Sequence, residues 1–209
     1  MSIIFLEEKF ETSSLDDRLQ WYCEPERWKV DDRRLVMETD KETDFWQKTH
    51  YGFQADNGHF LFAEVEGNFR MTTKVTSRPR SRYDQAGLMI RTSENTWVKT
   101  SLEYIPDGKS KLGAVVTNRG YSDWSTQYVD IDEVELYYRI SKVAQNVYVD
   151  VSHDGENWQQ IRISHLDVSD DTPFMAGVYA CSPQGEKQEV SFEFLQIERI
   201  SDNPSAVYL

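Results

Sequence analysis

A 209-residue chain with 36 acidic and 23 basic side chains carries a net charge of -13, and the long-range field of that charge opposes phosphate backbones and anionic membrane surfaces. Nucleic acid and membrane are therefore excluded as expected partners. With 39% hydrophobic and 13% aromatic residues, the chain has enough apolar surface to bury a sizeable core as one domain over residues 1–209.

The opening apolar run Ile3-Ile4-Phe5-Leu6 is far shorter than a signal-peptide core. It is followed by Glu7 and Glu8 rather than a small-residue cleavage site, so a cytoplasmic location is expected. Residues 13–19 hold the one pattern for a helical turn, with Ser13 or Ser14 as its cap. Runs rich in β-branched and aromatic residues predict strands at 35–39, 45–53, 60–65 and 69–76. Asp56-Asn57-Gly58 and Gly67-Asn68 predict hairpins between them.

Residues 83–125 carry the most information. In 83–91 the two-residue side-chain period puts Ala86, Leu88 and Ile90 on one face and Tyr83, Gln85, Met89 and Arg91 on the other. The run 97–103 repeats this, opposing Val98, Thr100 and Leu102 to Trp97, Lys99, Ser101 and Glu103. A third run buries Leu112, Ala114 and Val116 and offers Val115, Thr117 and Arg119 before a loop holding Tyr121 and Trp124. One face of this sheet is core and the other carries polar and aromatic groups. Lys99 and Glu103, four residues apart on one strand, have α-carbons about 13 Å apart, so each is expected to meet neighbouring strands rather than the other.

Further strands are expected at 134–140, 147–152, 158–163, 173–181 and 188–197. Val147, Val149 and Val151 face the core, and a change of phase at Leu195 predicts a bulge. About fourteen short strands without helical crossovers predict an all-β fold, a two-sheet antiparallel β-sandwich of the jelly-roll kind. The polar and aromatic row then lies in a groove on the outward face of one sheet.

Asp44-Phe45-Trp46, Thr49-His50-Tyr51-Gly52, Tyr83-Asp84-Gln85-Ala86-Gly87-Leu88, Trp97-Val98-Lys99, Val115-Val116-Thr117 and Ser122-Asp123-Trp124-Ser125 follow one another at characteristic spacing. In these motifs the chain resembles the domain-of-unknown-function family 1349 over nearly its whole length. The resemblance implies a concanavalin A-like lectin/glucanase fold. It implies no activity, because that architecture hosts many functions.

Three functional readings follow. The first is a saccharide or similar small polar ligand, with Trp46, Tyr51, Tyr83, Trp97 and Trp124 offering flat apolar faces. Asp44, Asp84, Gln85, Lys99, Glu103, Thr117 and Arg119 would supply directed polar contacts. The second is a glycoside hydrolase, which needs two carboxylates about 5 to 9 Å apart. Residues 130–135 resemble a glucanase motif but carry Asp130 where that motif has its nucleophilic Glu, and they read better as an acidic turn, which leaves Glu103 with Asp84 or Asp44 as the other candidate pair across strands. The third is a regulatory or scaffolding role, with Trp97, Arg119, Tyr121 and Trp124 meeting a protein partner or a second copy of the chain.

No cofactor is expected, since the chain has neither a glycine-rich phosphate loop nor a nucleophile elbow. His50, His59, His153 and His165 are scattered, so no transition-metal site is expected. Acidic loops at Asp56-Asn57-Gly58 and Asp170-Asp171 offer oxygens of the kind calcium takes, but such loops are usually just solvated. Cys23 and Cys181 are too few for a disulfide framework and are expected as buried free thiols. Ser152 to Trp158 is expected as a turn in which Asp154-Gly155 supplies the positive φ.

Overall fold

A computed structural model describes residues 2–129, 134–169, 171–185 and 187–203, together with 205 and 207. Its strands are numbered in chain order, and every pairing between them is antiparallel. One sheet contains β1 (Ile3–Glu8), β3 (Arg27–Asp31), β4 (Arg34–Glu38), β8 (Phe69–Arg78), β13 (Val134–Val143), β14 (Asn146–Ser152), β15 (Gln159–His165) and β17 (Glu189–Arg199). Its order is β15-β14-β13-β8-β17-β4-β3, with β1 beside β17. The facing sheet contains β2 (Gln20–Tyr22), β7 (His59–Val65), β9 (Gln85–Ser93), β10 (Thr96–Glu103), β11 (Ser110–Asn118), β12 (Tyr121–Val129) and β16 (Phe174–Cys181), ordered β12-β11-β10-β9-β16-β7-β2. A two-stranded flap, β5 (Phe45–Gln47) with β6 (Gln54–Asp56), pairs with neither large sheet. The chain is thus an all-β, two-sheet antiparallel sandwich.

The alternation read from the sequence sets the interior. Leu88, Ile90, Val98, Leu102, Leu112 and Val116 point between the sheets, against Met71, Val75, Leu136, Ile140, Val147 and Val149 from the other side. The phase change in the last strand is a bulge, where the β17 register against β8 shifts between Phe192 and Leu195. No helix among the described residues is long and apolar enough to cross a membrane.

Several local expectations are corrected. Residues 45–53 do not form one strand: β5 ends at Gln47, and Lys48, His50, Tyr51 and Gly52 all take positive φ, which an extended strand excludes. The glycine signals at 56–58 and 67–68 do fall at the connections between strands. They lead from the flap to β7 and from β7 into the opposite sheet, so neither closes a hairpin. A turn motif marks where a strand stops but not the identity of the next neighbour. Residues 13–19 make only a turn around Asp16, closed by the Leu19 N–H on the Asp16 carbonyl at 2.9 Å, without a helix. Cys181 is buried, whereas Cys23 is exposed. Gly155 has φ +77° within the loop joining β14 to β15, as the Asp-Gly pair requires.

Gly87 sits in mid-strand because its neighbour leaves no room. A Cβ there would lie 1.9 Å from the Thr100 carbonyl oxygen, which is backbone and cannot rotate away. Gly87→Ala is expected to part β9 from β10 and lower the unfolding free energy by about 2 kcal/mol or more, read from urea denaturation. A variant as stable as the parent would refute this close approach.

Candidate functional site

The outward face of the seven-stranded sheet is built by register. Across β9, β10 and β11, Gln85 stands beside Glu103 and Glu103 beside Lys111, while Met89, Lys99 and Val115 form another row. Lys99, 2% exposed, donates to Gln85 Oε1 at 2.8 Å and Asp44 Oδ1 at 3.1 Å. Burial works to lower the Lys99 pKa, but the Asp44 charge leads a set of attractions that outweigh it, so the ammonium is held above its ordinary range. Gln85 Oε1 also accepts the Tyr179 hydroxyl at 3.1 Å, and Gln85 Nε2 donates to the Tyr83 carbonyl at 3.2 Å. These three bonds fix which end of the amide faces the lysine.

Glu103 is treated differently. It is 8% exposed and accepts no hydrogen bond from a described residue. Burial pushes its pKa up to about 7, opposed by Lys99 and Lys111 and reinforced by the Asp44 charge. A buried carboxyl without partners is a poor contributor to folding and a ready group for a ligand.

The flap supplies one wall. Phe45 is fully buried against Trp97 and Tyr179, with ring centroids 6.4 and 6.2 Å apart. Two ion pairs fasten the flap to the sheet: Asp44 with Lys99, and Asp56 with Arg91 through oxygens at 2.8 and 3.1 Å. Tyr22 adds its hydroxyl to Asp56 Oδ2 at 2.7 Å, so the Asp56 carboxylate is already occupied and does not present the free oxygens that a calcium site needs. The Gln47 N–H reaches Ser122 Oγ at 2.9 Å, tying β5 to β12.

The result is a cavity of about 1020 Å³. Gln85, Lys99, Glu103 and Lys111 line its floor, and Trp46, Trp124, Tyr51, Phe53, Tyr83 and Tyr121 line its sides. Trp46 and Trp124 meet edge to face at 6.5 Å, and Trp46 Nε1 donates to the Thr49 carbonyl at 2.8 Å. Polar groups converge at the base of an aromatic enclosure, the usual composition of a small-ligand site.

Residues 21–200 match the family described as a protein of unknown function, DUF1349. The chain belongs to that family. It is 34% identical over 172 residues to Regulation of enolase protein 1 of Saccharomyces cerevisiae, covering 82% of this chain and 85% of that one. A crystal structure of a functionally unknown Saccharomyces cerevisiae protein superposes with a TM-score of 0.81 at 31% identity, over 88% of this chain and 97% of that one. The GH43 protein BlXynB from Bacillus licheniformis superposes at a TM-score of 0.74 and 18% identity, over 93% of this chain but 39% of that longer protein. The catalytic domain of a Thermotoga petrophila laminarinase gives 0.63 at 12% identity, covering 95% of this chain and 98% of that one. The last two likenesses establish the concanavalin-like sandwich alone.

Within this DUF1349 fold, Asp44, Trp46, Tyr51, Tyr83, Gln85, Lys99, Glu103 and Trp124 come together around the cavity. Four expected residues do not. Trp97 lies on the anticipated face but is fully buried beneath the flap, its Nε1 donating to the Glu94 carbonyl at 3.0 Å. Asp84 is buried in a turn, where Oδ2 accepts the Arg80 and Ser81 N–H groups at 2.8 Å each. Thr117 is buried and bonded to Ser122 Oγ at 2.8 Å. Arg119 points away in the β11–β12 turn and pairs with Asp167 at 2.6 Å.

Lys111, Phe53 and Asp123 line the cavity without having been anticipated. Lys111 was within reach, because the alternation that puts Val115 and Thr117 outward extends back to it. The stretch 130–133 lies outside the described residues, as does Asp170. Glu135 pairs with Lys74 at 2.5 Å across β13 and β8, in the sheet opposite the cavity.

Proposed function

We propose that this cavity binds a small hydroxyl-rich ligand of the saccharide class. The observation that carries the reading is the buried polar floor of Lys99, Gln85 and Glu103 beneath the rings of Trp46 and Trp124. Sugar rings present apolar C–H faces to aromatic planes and hydroxyls to fixed donors and acceptors, so both halves of the enclosure have a counterpart in such a ligand. Binding is favoured over hydrolysis because Asp44, a second carboxylate lining the cavity, is held by Lys99 rather than left to attack or to activate water.

Titrating mono- and oligosaccharides against tryptophan fluorescence tests this. Trp46→Ala and Trp124→Ala are each expected to weaken binding by more than about 2 kcal/mol, roughly 30-fold, with a native melting curve. A panel that leaves fluorescence and calorimetric heat unchanged at millimolar sugar would overturn the reading.

A protein partner is the second reading, favoured by one feature. Tyr51, Phe53 and Tyr121 stand 81%, 42% and 61% exposed around the cavity mouth, a larger aromatic display than a small ligand uses. The name of the yeast relative, which refers to regulation of enolase, fits that reading. Pull-down of enolase by the parent chain, lost on Tyr51→Ser with Phe53→Ser, is the result this reading expects.

A further inference from the structure

Glu103 and Lys111 are cross-strand partners on β10 and β11, an arrangement in which opposite charges ordinarily meet. Here they do not. The Lys111 ammonium sits 4.7 Å from the centroid of Trp124 and forms no ion pair with a described residue, while the Glu103 carboxyl stays unbonded at the cavity floor. A complementary pair held apart inside a cavity leaves a gap for a ligand group that both can grip.

The other charges of the site are already matched. Asp44 is neutralised by Lys99 and Asp123 by Arg162 at 2.6 Å. One face each of Trp124 and Tyr121 already carries a lysine, Lys111 at 4.7 Å and Lys48 at 5.5 Å from the ring centroids, so a ligand cation approaching either of these rings would meet a like charge. In a chain of net charge -13 the cavity is left with an unmatched cation and a carboxyl whose pKa burial pushes up to about 7, so that it is about half protonated at neutrality. The surrounding acidity acts weakly at this range, being screened beyond about 8 Å in physiological salt.

We propose that the ligand bears an acidic oxygen group, a carboxylate or phosphate on a hydroxylated skeleton, seated between Glu103 and Lys111. This rests on the saccharide reading and narrows it. Lys111 donates a charge-assisted hydrogen bond to the anion, and Glu103 donates its carboxyl O–H to the same group. An ionised Glu103 would repel that anion, so binding takes up a proton wherever Glu103 is partly ionised in the free protein. Lys99 from its own strand, Gln85 from β9, Lys111 from β11, Tyr179 and Cys181 from β16, and Asp44 from the flap are the polar groups that act on or line the site around Glu103. Of these, Asp44 opposes ionisation and the two lysines favour it.

Calorimetry with glucose, glucuronate and glucose 6-phosphate, run at pH 6 and pH 8 in buffers of different ionisation enthalpy, tests the proposal. At pH 6 at least one acid is expected to bind about tenfold or more tighter than glucose, and glucuronate against the phosphate identifies the acid group. For glucuronate, which is fully ionised at both pH values, affinity should fall toward pH 8 with net proton uptake, whereas the phosphate titrates in the same range and its own proton enters the balance. Lys111→Met is expected to collapse the ratio of acid to neutral affinity. Glu103→Gln, whose amide donates at any pH, is expected to bind the acid more tightly than the parent at pH 8 and to lose the proton uptake. Equal affinity for glucose and both acids, or proton release on binding glucuronate, would overturn this proposal while leaving saccharide binding intact. Silence from all three sugars and from the wider saccharide panel would overturn both.

Discussion

Asp44→Asn is expected to lower the unfolding free energy by about 3 to 5 kcal/mol, because it leaves the Lys99 ammonium buried without its counter-charge. Lys99 is 2% exposed, so its charge reaches little water once the carboxylate is gone. Lys99→Met should be milder. It retains the apolar stem and releases Asp44, whose side chain is 15% exposed and sits at the cavity edge. The double variant should recover much of the single Asp44→Asn loss, since the two residues act on one another. Urea denaturation of all three against the parent measures this, and an Asp44→Asn variant within about 1 kcal/mol of the parent would show that the pair does not hold the flap.

Glu103→Gln should change the dependence of stability on pH. The folded state holds the Glu103 proton to about pH 7, whereas the free side chain releases it near 4.5. Between those values the folded chain binds more protons than the unfolded one, so the parent loses stability as pH rises, on the order of 3 kcal/mol in all. The stabilising contribution is complete below pH 4.5 and gone above pH 7. Glutamine does not titrate, so the two proteins should match near pH 4 and the variant should be the more stable at pH 8. Taking the difference between two proteins that share every other titrating group isolates Glu103. A constant difference across that range would show that Glu103 ionises normally.

Strand alternation explains which parts of the site were legible from sequence. Because successive side chains face opposite ways, Gln85, Lys99 and Glu103 had to share a face, and the structure places them side by side at the cavity floor. The burial of Trp97 was not legible, because it depends on Phe45, a residue 52 positions earlier, arriving as a cover. Asp84 and Thr117 had the right chemistry in the right neighbourhood but are taken up by local hydrogen bonds, the first by a turn and the second by Ser122. Periodicity reports the face of a strand. It carries no information about which remote segment lies over that face, and for that reason the flap was misread as one long strand.

The separation between flap and sheet has a consequence for how such a binding site changes. β5 and β6 pair with each other alone, so no ladder of strand hydrogen bonds runs from residues 48–53 into either large sheet. Lengthening or replacing that tip alters the side of the cavity carrying Tyr51 and Phe53 without moving any strand of the platform out of step. Ligand preference and foldability are thereby written in different segments, and loop exchange at 48–53 is the natural route to a protein that keeps this scaffold while recognising something else.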